Sequence, residues 1–430
     1  MARRIVITGM GWVTPLGCDL ETVWQRLLKG DSGVAPTTIF DARTFPTQFA
    51  AEVKDFDLRA VLGEHFEAHR SASRNAAFAL GAAEMAWRHA GLNGGSGADP
   101  EMTGVYLGGG EGPIDFDNFV AAAIAGWNPE TRQLDTVRWA EVAGQRLAAA
   151  REFEQDPNCA AHHIACRFNA QGPNLNTLTA CAASTQAIGE AMLIIRRGDA
   201  DVMITGGAHS MIHPLGVTGF NRLTALSERN DSPATASRPF DATRDGFVIG
   251  EGAGILILEE LENARRRGAH ILAEIVGYGS TADAFRVTDM HEDGRGPMAA
   301  MRAALADAGL QPADIDYISA HGTSTEENDK IESKAIGGVF GDSARRVPVS
   351  SVKSMLGHLI AGAGAVELIT VVLALRDGII PPTSNYATPD PNCPLDYVPN
   401  EPRRATLKTC LSNSFGFGGQ NDTLAVRAFE

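Results

Sequence analysis

The chain is short of positive charge. Its 37 Lys and Arg stand against 52 Asp and Glu, a formal net charge of −15 over 430 residues. A general nucleic-acid binder needs a basic surface to neutralise phosphates, so that class is excluded, while a small basic patch for an acidic partner is not. There is also no disulfide framework. The six cysteines are scattered without regular spacing, as expected in a reducing cytosol. Nor is there a clean apolar run of membrane length. The longest, Leu359 to Leu375, carries Glu367 in its middle and reads as a buried helix, because an acid at the centre of a span is costly. At the N-terminus, Ile5-Val6-Ile7 is too short for a signal-peptide core and reads as a buried strand. A cytoplasmic protein is the expectation.

What is present is enough apolar material, 44% of residues, for a large core. Short apolar strands alternate with Ala-rich helices, the pattern of an α/β fold. Strands are expected at Ile5–Thr8, Val105–Leu107, Val202–Thr205 and Ile255–Leu258, then at Ile271–Val276, Ile315–Ser319, Val347–Ser350 and Thr423–Ala428. The chain also repeats itself. Ala86-Trp87-Arg88-His89-Ala90-Gly91-Leu92 leads through Asp99-Pro100 to a strand ending in Gly108-Gly109-Gly110. Ala304-Leu305-Ala306-Asp307-Ala308-Gly309-Leu310 leads through Gln311-Pro312 to a strand ending in His321-Gly322-Thr323. Each half then has a small-residue elbow opening an apolar helix, closed by Gly198 in one and Gly378 in the other. A duplicated unit follows, with halves at 1–265 and 266–430 and with Cys181 and His358 expected at equivalent helix starts. A long segment, Glu111 to Gln171, has a far shorter counterpart in the second half and is expected to form helices over the site or a subunit interface.

The chemistry concentrates in three residues. Cys181 lies in Thr179-Ala180-Cys181-Ala182-Ala183-Ser184, directly before a helical pattern, and a helix N-terminus favours a thiolate through its free N–H groups and dipole. His321, in His-Gly-Thr-Ser-Thr, and His358, in Lys-Ser-Met-Leu-Gly-His, could then handle protons and charge. The bland alternatives are a packed core cysteine and histidines satisfied by backbone. Lys353 and Glu367 suggest a buried ion pair near the site, since an acid in an apolar helix needs a partner or a proton. Ser414 to Gly419 is a glycine-rich turn able to present N–H groups to an oxyanion. Gly9-Met10-Gly11 is not a dinucleotide fingerprint, because Thr14 occupies the third glycine position. Cys159, His162, His163 and Cys166 have zinc-like spacing, but four ligands from adjacent helical turns rarely close a tetrahedron, so no metal is expected.

These motifs, in this order, resemble the β-ketoacyl-[acyl-carrier-protein] synthases of the type II elongating class, which have the thiolase-like fold. The resemblance runs from Arg4 to Gly419 and is strongest at Thr179-Ala180-Cys181, Arg238-Pro239-Phe240-Asp241, Asp245-Gly246-Phe247, Gly250-Glu251-Gly252-Ala253-Gly254, His321-Gly322-Thr323, Lys353-Ser354 and Gly357-His358. It implies a duplicated five-layer α-β-α-β-α architecture and a decarboxylative condensation. In that reaction Cys181 carries the acyl chain, and its N–H with that of Phe417 forms the oxyanion hole. His321 and His358 assist decarboxylation, with Lys353 and Glu367 holding their electrostatics. Thr323 and Thr325 contact the pantetheine arm, and Phe220 and Phe417 gate the site. It further implies an acyl carrier protein as partner, with Arg70, Arg74 and Arg222 as candidates in an only partly recognisable docking patch, a homodimer or a heterodimer with a homologous subunit, and no metal or organic cofactor. There are departures. Glu326 replaces a usual proline, Gln420 a threonine and Thr224 an arginine, and the acyl-pocket region is acidic at Glu111, Asp115 and Asp117. They leave the substrate open between fatty-acid elongation and a specialised polyketide or polyene pathway. A thiolase would need a second Cys-x-Gly cysteine, and Cys410-Leu411-Ser412 is not one. A non-catalytic chain-length partner would have lost the reactive cysteine.

Overall fold

The computed structural model describes residues 3–92, 98–112 and 114–429. Its centre is a ten-stranded sheet of β1 (Ile5–Val13), β2 (Thr103–Gly108), β3 (Asn174–Thr177), β4 (Val202–His209), β5 (Gly252–Glu260), β6 (Ala273–Ala282), β7 (Tyr317–Ser319), β8 (Val349–Ser350), β9 (Thr409–Gly416) and β10 (Gln420–Arg427). The spatial order is β8-β7-β9-β10-β6-β1-β5-β4-β2-β3. Reading outward from the central antiparallel pair β1–β6, both sides have the same sequence of pairings: antiparallel, antiparallel, parallel, parallel. The duplication expected from sequence is therefore a property of the sheet.

Helices α1 (Arg74–His89), α2 (Cys159–Phe168), α3 (Ala183–Arg197), α4 (Arg295–Ala308), α5 (Glu326–Phe340) and α6 (Ala363–Asp377) complete the layers. α3 and α6 lie between the half-sheets and touch strands of both, while α1 and α2 cover one outer face and α4 and α5 the other. The glycines of Gly9-Met10-Gly11 are explained by this packing. A Cβ at Gly9 or Gly11 would stand 2.2 Å from a carbonyl oxygen of α1, and at Gly277 or Gly279 2.2 or 2.1 Å from one of α4. The same close crossing occurs in each half.

The expected strands are present, several longer than their apolar cores. Two were not visible in the sequence. β3 is a half-exposed edge, and β9 buries Ser412, Asn413 and Ser414, whose polarity hides a central strand. Asn413 and Ser414 are paired there with Thr423 (2.9 Å) and Thr185 (2.7 Å). Segment 111–171 contains helices, including Phe116–Gly126 and Thr136–Arg146, joined by a short hairpin. Among the described residues no helix is long and apolar enough to cross a membrane.

One expectation needs correction. α3 and α6 are both 15 residues long, and both end on a left-handed glycine, Gly198 and Gly378. Each begins from a single 3-10 turn entered through a left-handed residue, Ala180 (φ 49°) and Ile360 (φ 49°). The position equivalent to Cys181 is therefore Ala361. His358 sits three residues earlier, where Gly357 (φ 66°) turns the chain.

Candidate active site

Cys181, His321, His358 and Phe417 all follow the C-terminal ends of sheet strands, β3, β7, β8 and β9, where α/β folds gather their functional groups. The Cys181 sulfur and one ring nitrogen of each histidine lie within 4.8 Å of one another, and all three residues are buried. The two imidazoles meet edge to face, with centroids 5.3 Å apart. His358 is pinned through its backbone, donating to Val248 O (2.7 Å) and accepting from Gly250 N–H (2.9 Å).

Hydrogen bonds set the tautomers. Ile360 N–H donates to His358 Nδ1 (3.2 Å), so the proton belongs on Nε2, which is buried without a hydrogen-bond partner among the described residues. Lys353 Nζ donates to His321 O (2.6 Å) and to the Glu367 carboxylate, and lies 3.4 Å from His321 Nδ1. That arrangement also leaves His321 with an Nε2 proton. Burial first, then the Lys353 charge, holds both histidines well below the ordinary imidazole value, so near pH 7 they are neutral donors. Burial raises Glu367 to about 7 against the opposing pull of Lys353.

The thiol differs from the sequence expectation of an easily formed thiolate. Burial pushes Cys181 up to about 11, although Lys353 and the N–H groups of Phe417 and Cys181 itself act in the opposite direction. Removing the sulfur from water costs more than the helix start returns. The pocket thus pairs a protonated thiol with two neutral N–H donors, an arrangement suited to acyl transfer and to holding a developing oxyanion.

A family model for the N-terminal domain of beta-ketoacyl synthase matches residues 2–264, more than half of the chain, and one for the C-terminal domain matches residues 272–387. The chain belongs to the β-ketoacyl synthase family. Among similar proteins, the 3-oxoacyl-[acyl-carrier-protein] synthase 2 of Coxiella burnetii (strain RSA 493 / Nine Mile phase I) is 43% identical, covering 100% of this chain and 99% of its own. That of Synechocystis sp. (strain ATCC 27184 / PCC 6803 / Kazusa) is also 43% identical over the same shares. Of solved structures, a beta-ketoacyl synthase from Burkholderia phymatum STM815 superposes with a TM-score of 0.89 at 34% identity, and a type II PKS ketosynthase solved with its acyl-carrier protein and a hexaketide with 0.88 at 36%. Both alignments cover 100% of each chain. Family membership makes this ketoacyl synthase an acyltransferase-class enzyme with the thiolase-like fold.

The other residues singled out in the sequence divide into groups. Phe220, Thr323, Thr325 and Phe417 line the Cys181 pocket, with the two threonine hydroxyls 2.8 Å apart. Phe220 packs on Phe247 (5.3 Å), which packs on His358 (5.4 Å). Lys353 and Glu367 lie behind the histidines as the expected buried pair. Arg70 and Arg222 are exposed, whereas the Arg74 guanidinium is held by buried Glu251, with Nε 2.7 Å from Oε2. The metal-like quartet does not converge. His163 is buried between His69 (2.9 Å) and Glu154 (2.9 Å), and the Cys159 thiol donates to Phe153 O (3.3 Å). His162 and Cys166 face outward.

Sequence reasoning missed Glu332. Its carboxylate accepts the N–H groups of His321 (2.9 Å) and Gly322 (2.8 Å), and Asn413 Nδ2 approaches at 3.3 Å, so it holds the turn that presents His321. Burial raises it to about 7. The available signal was an acid beside Ile331 and on the same face as Ala335 and Ile336 of α5, an apolar face where a charge needs a reason.

Proposed function

We propose that this enzyme catalyses the decarboxylative condensation of an acyl chain on Cys181 with malonyl-acyl-carrier protein, giving 3-oxoacyl-acyl-carrier protein and CO2 in fatty-acid elongation. The reading is carried by the convergence of a thiol with two neutral imidazoles whose Nδ1 atoms are already engaged. The Cys181 sulfur attacks the acyl thioester, and the N–H groups of Cys181 and Phe417 hold the oxyanion. The carrier thiol leaves with the proton from Cys181. Malonyl thioester then takes its place, along Thr323 and Thr325. His321 and His358 donate to its carbonyl oxygen while the bond to the carboxylate breaks. CO2 departs, and the enolate attacks the acyl-Cys carbonyl. Collapse expels the sulfur, which takes up a proton. The reaction balances without a metal or organic cofactor. Lys353 and Glu367 act behind the histidines by fixing their tautomer and charge.

The carrier protein is the expected partner, supported by the neighbouring ketosynthase solved with one and by the names of the relatives. Arg70 and Arg222 are the candidates to dock it, with Arg74 more occupied by Glu251. We take 1–265 and 266–430 as the two halves of the enzyme, working in the cytoplasm as a homodimer. The exposed Phe119, Ile124, Trp127 and Leu134 on segment 111–171 offer apolar surface for pairing. A second reading, a specialised type II polyketide or polyene pathway, is favoured by the acidic Glu111, Asp115 and Asp117 near the acyl pocket. The deciding experiment is elongation of a series of acyl-carrier primers with malonyl-carrier protein, read by mass spectrometry. A two-carbon-longer 3-oxo product with the acyl intermediate on Cys181 is expected. An acyl group on another cysteine would sink the assignment, and light scattering of a monomer at micromolar concentration would sink the dimer.

A further inference from the structure

The pocket of Cys181 turns acidic at its outer end. It is lined by the buried sulfur at one extreme and by exposed Glu327 and Asp289 at the other, with Thr323 and Thr325 among its walls. Thr325 is the N-cap residue of α5, so the rim is also the N-terminus of a 15-residue helix. Such an end offers free N–H groups and a partial positive charge, and by itself it favours phosphate. Here its first turn carries Glu326, Glu327 and Asp329. Asp329 is buried and faces Arg244, with Oδ2 3.6 Å from Nε, whereas Glu326 and Glu327 are exposed. Asp289 is 47% exposed and pairs with Arg286 (3.0 Å). Lys330, about a turn further along α5, is exposed as well.

A thioester donor brings its sulfur to Cys181 and leaves the far end of its arm at this rim. The cavity, about 80 Å³, is too small for a nucleotide, so phosphates stay at or outside Glu327 and Asp289. The arm of a carrier protein brings a single phosphodiester there, and the protein body can offset repulsion through docking contacts elsewhere on the surface. Coenzyme A brings a diphosphate and a ribose phosphate, with no protein body behind them.

We propose that Glu327 and Asp289 reject thioesters borne on a polyphosphorylated nucleotide, so that Cys181, in the acyl-carrying role proposed above, discriminates against coenzyme A donors. Loading moves the acyl group from the donor sulfur to the Cys181 sulfur, and the proton of Cys181 leaves with the donor thiol. The acids act before that step, as a repulsive element set against the wrong donor. Two like unit charges about 10 Å apart in water cost about a factor of two, so the additional phosphate charges of coenzyme A together amount to about tenfold at low salt. First-turn acids also complement the helix dipole, but that stabilising role is indifferent to which donor is offered.

The test follows acylation of Cys181 by intact mass, using octanoyl-pantetheine, octanoyl-phosphopantetheine and octanoyl-coenzyme A, which share one arm and differ in charge at its far end. At low ionic strength the pantetheine thioester is expected to load about tenfold faster than the coenzyme A thioester, with phosphopantetheine between them. In about 1 M salt, where charges are screened within about 3 Å, that ratio should fall toward one. Glu327→Gln combined with Asp289→Asn should lower the low-salt ratio to about two or less. Should the double variant fail to fold, Glu327→Gln alone decides by the direction of the same ratio. Equal loading from all three donors at low salt overturns the inference. So does a ratio that the neutralised variant leaves unchanged, which would assign the preference to the bulk of the nucleotide. Either result leaves the condensing reaction intact. Absence of an acyl chain on Cys181 from every donor, acyl-carrier protein included, overturns both.

Discussion

The two elbows that open α3 and α6 share one backbone form and differ in nearly everything chemical. Both enter through a left-handed residue at φ 49°, and both helices close on a left-handed glycine. One elbow carries the thiol of Cys181 and the other the methyl of Ala361. Within the helices, Ala187 occupies the position where α6 has Glu367. The two halves share a frame that points a side chain into the seam between the half-sheets, and the residue placed there differs between them. The first half supplies the sulfur. The second supplies both histidines, the buried Lys353–Glu367 pair and the Phe417 turn. Neither half contains a complete site.

The sharpest way to break that comparison is to move the thiol. Cys181→Ala should reduce acyl-enzyme formation to background by intact mass. Adding Ala361→Cys to that variant should restore none, because the second elbow lacks two facing histidines. An acyl group on the relocated thiol would show that the elbow alone suffices. Next in size, Glu367→Ala should cost about 3–5 kcal/mol in denaturant unfolding, since it leaves the Lys353 charge buried alone. Lys353→Met combined with Glu367→Leu should recover most of that stability and none of the malonyl decarboxylation. Full recovery of activity would remove the pair from the mechanism.

The common frame can be tested more gently. Gly9→Ala and Gly277→Ala each push a methyl into a helix carbonyl and should each cost about 1–3 kcal/mol, by similar amounts. A large inequality would mean that the two outer layers are packed differently. The smallest effect concerns ionisation. With the thiol at about 11, carbamidomethylation of Cys181 in the free enzyme should climb by about tenfold per pH unit through pH 9. A plateau below pH 8 would show that the helix start outweighs burial. The sign of the linkage is fixed by the same shift. The folded thiol holds its proton more tightly than the unfolded one, so this group's contribution to stability is complete below about 9 and is lost as pH rises toward about 11.

Much of this was legible in the sequence alone. The paired landmarks at Gly91 and Gly309, and the capping glycines Gly198 and Gly378, announced the duplication because helix ends have strong local requirements. Cys181, His321, His358, Lys353 and Glu367 stood out because their types were improbable in apolar or small-residue settings. β9 was hidden because its buried Ser412, Asn413 and Ser414 look like a surface turn until the partners of Asn413 on β10 and of Ser414 on α3 are known. Glu332 was hidden for a similar reason: its partners are backbone N–H groups of the turn at His321 and Gly322, which its own helix does not announce. The expected equivalence of Cys181 with His358 failed because both precede an apolar helix in sequence, while only backbone conformation locates the elbow.

The sequence by itself determined the alternation of strands and helices, the repeat, and the kinds of side chain available for chemistry, since these depend on periodicity and on local backbone preference. Only the tertiary structure decided how those side chains behave. It set the thiol near 11 rather than low, made both histidines neutral donors, and packed His209 out of water against Gly110. Each of those outcomes depends on what surrounds a group in three dimensions: how much water has been removed, which charge lies within a few ångströms, and which N–H points at it. None of these is a function of neighbouring sequence.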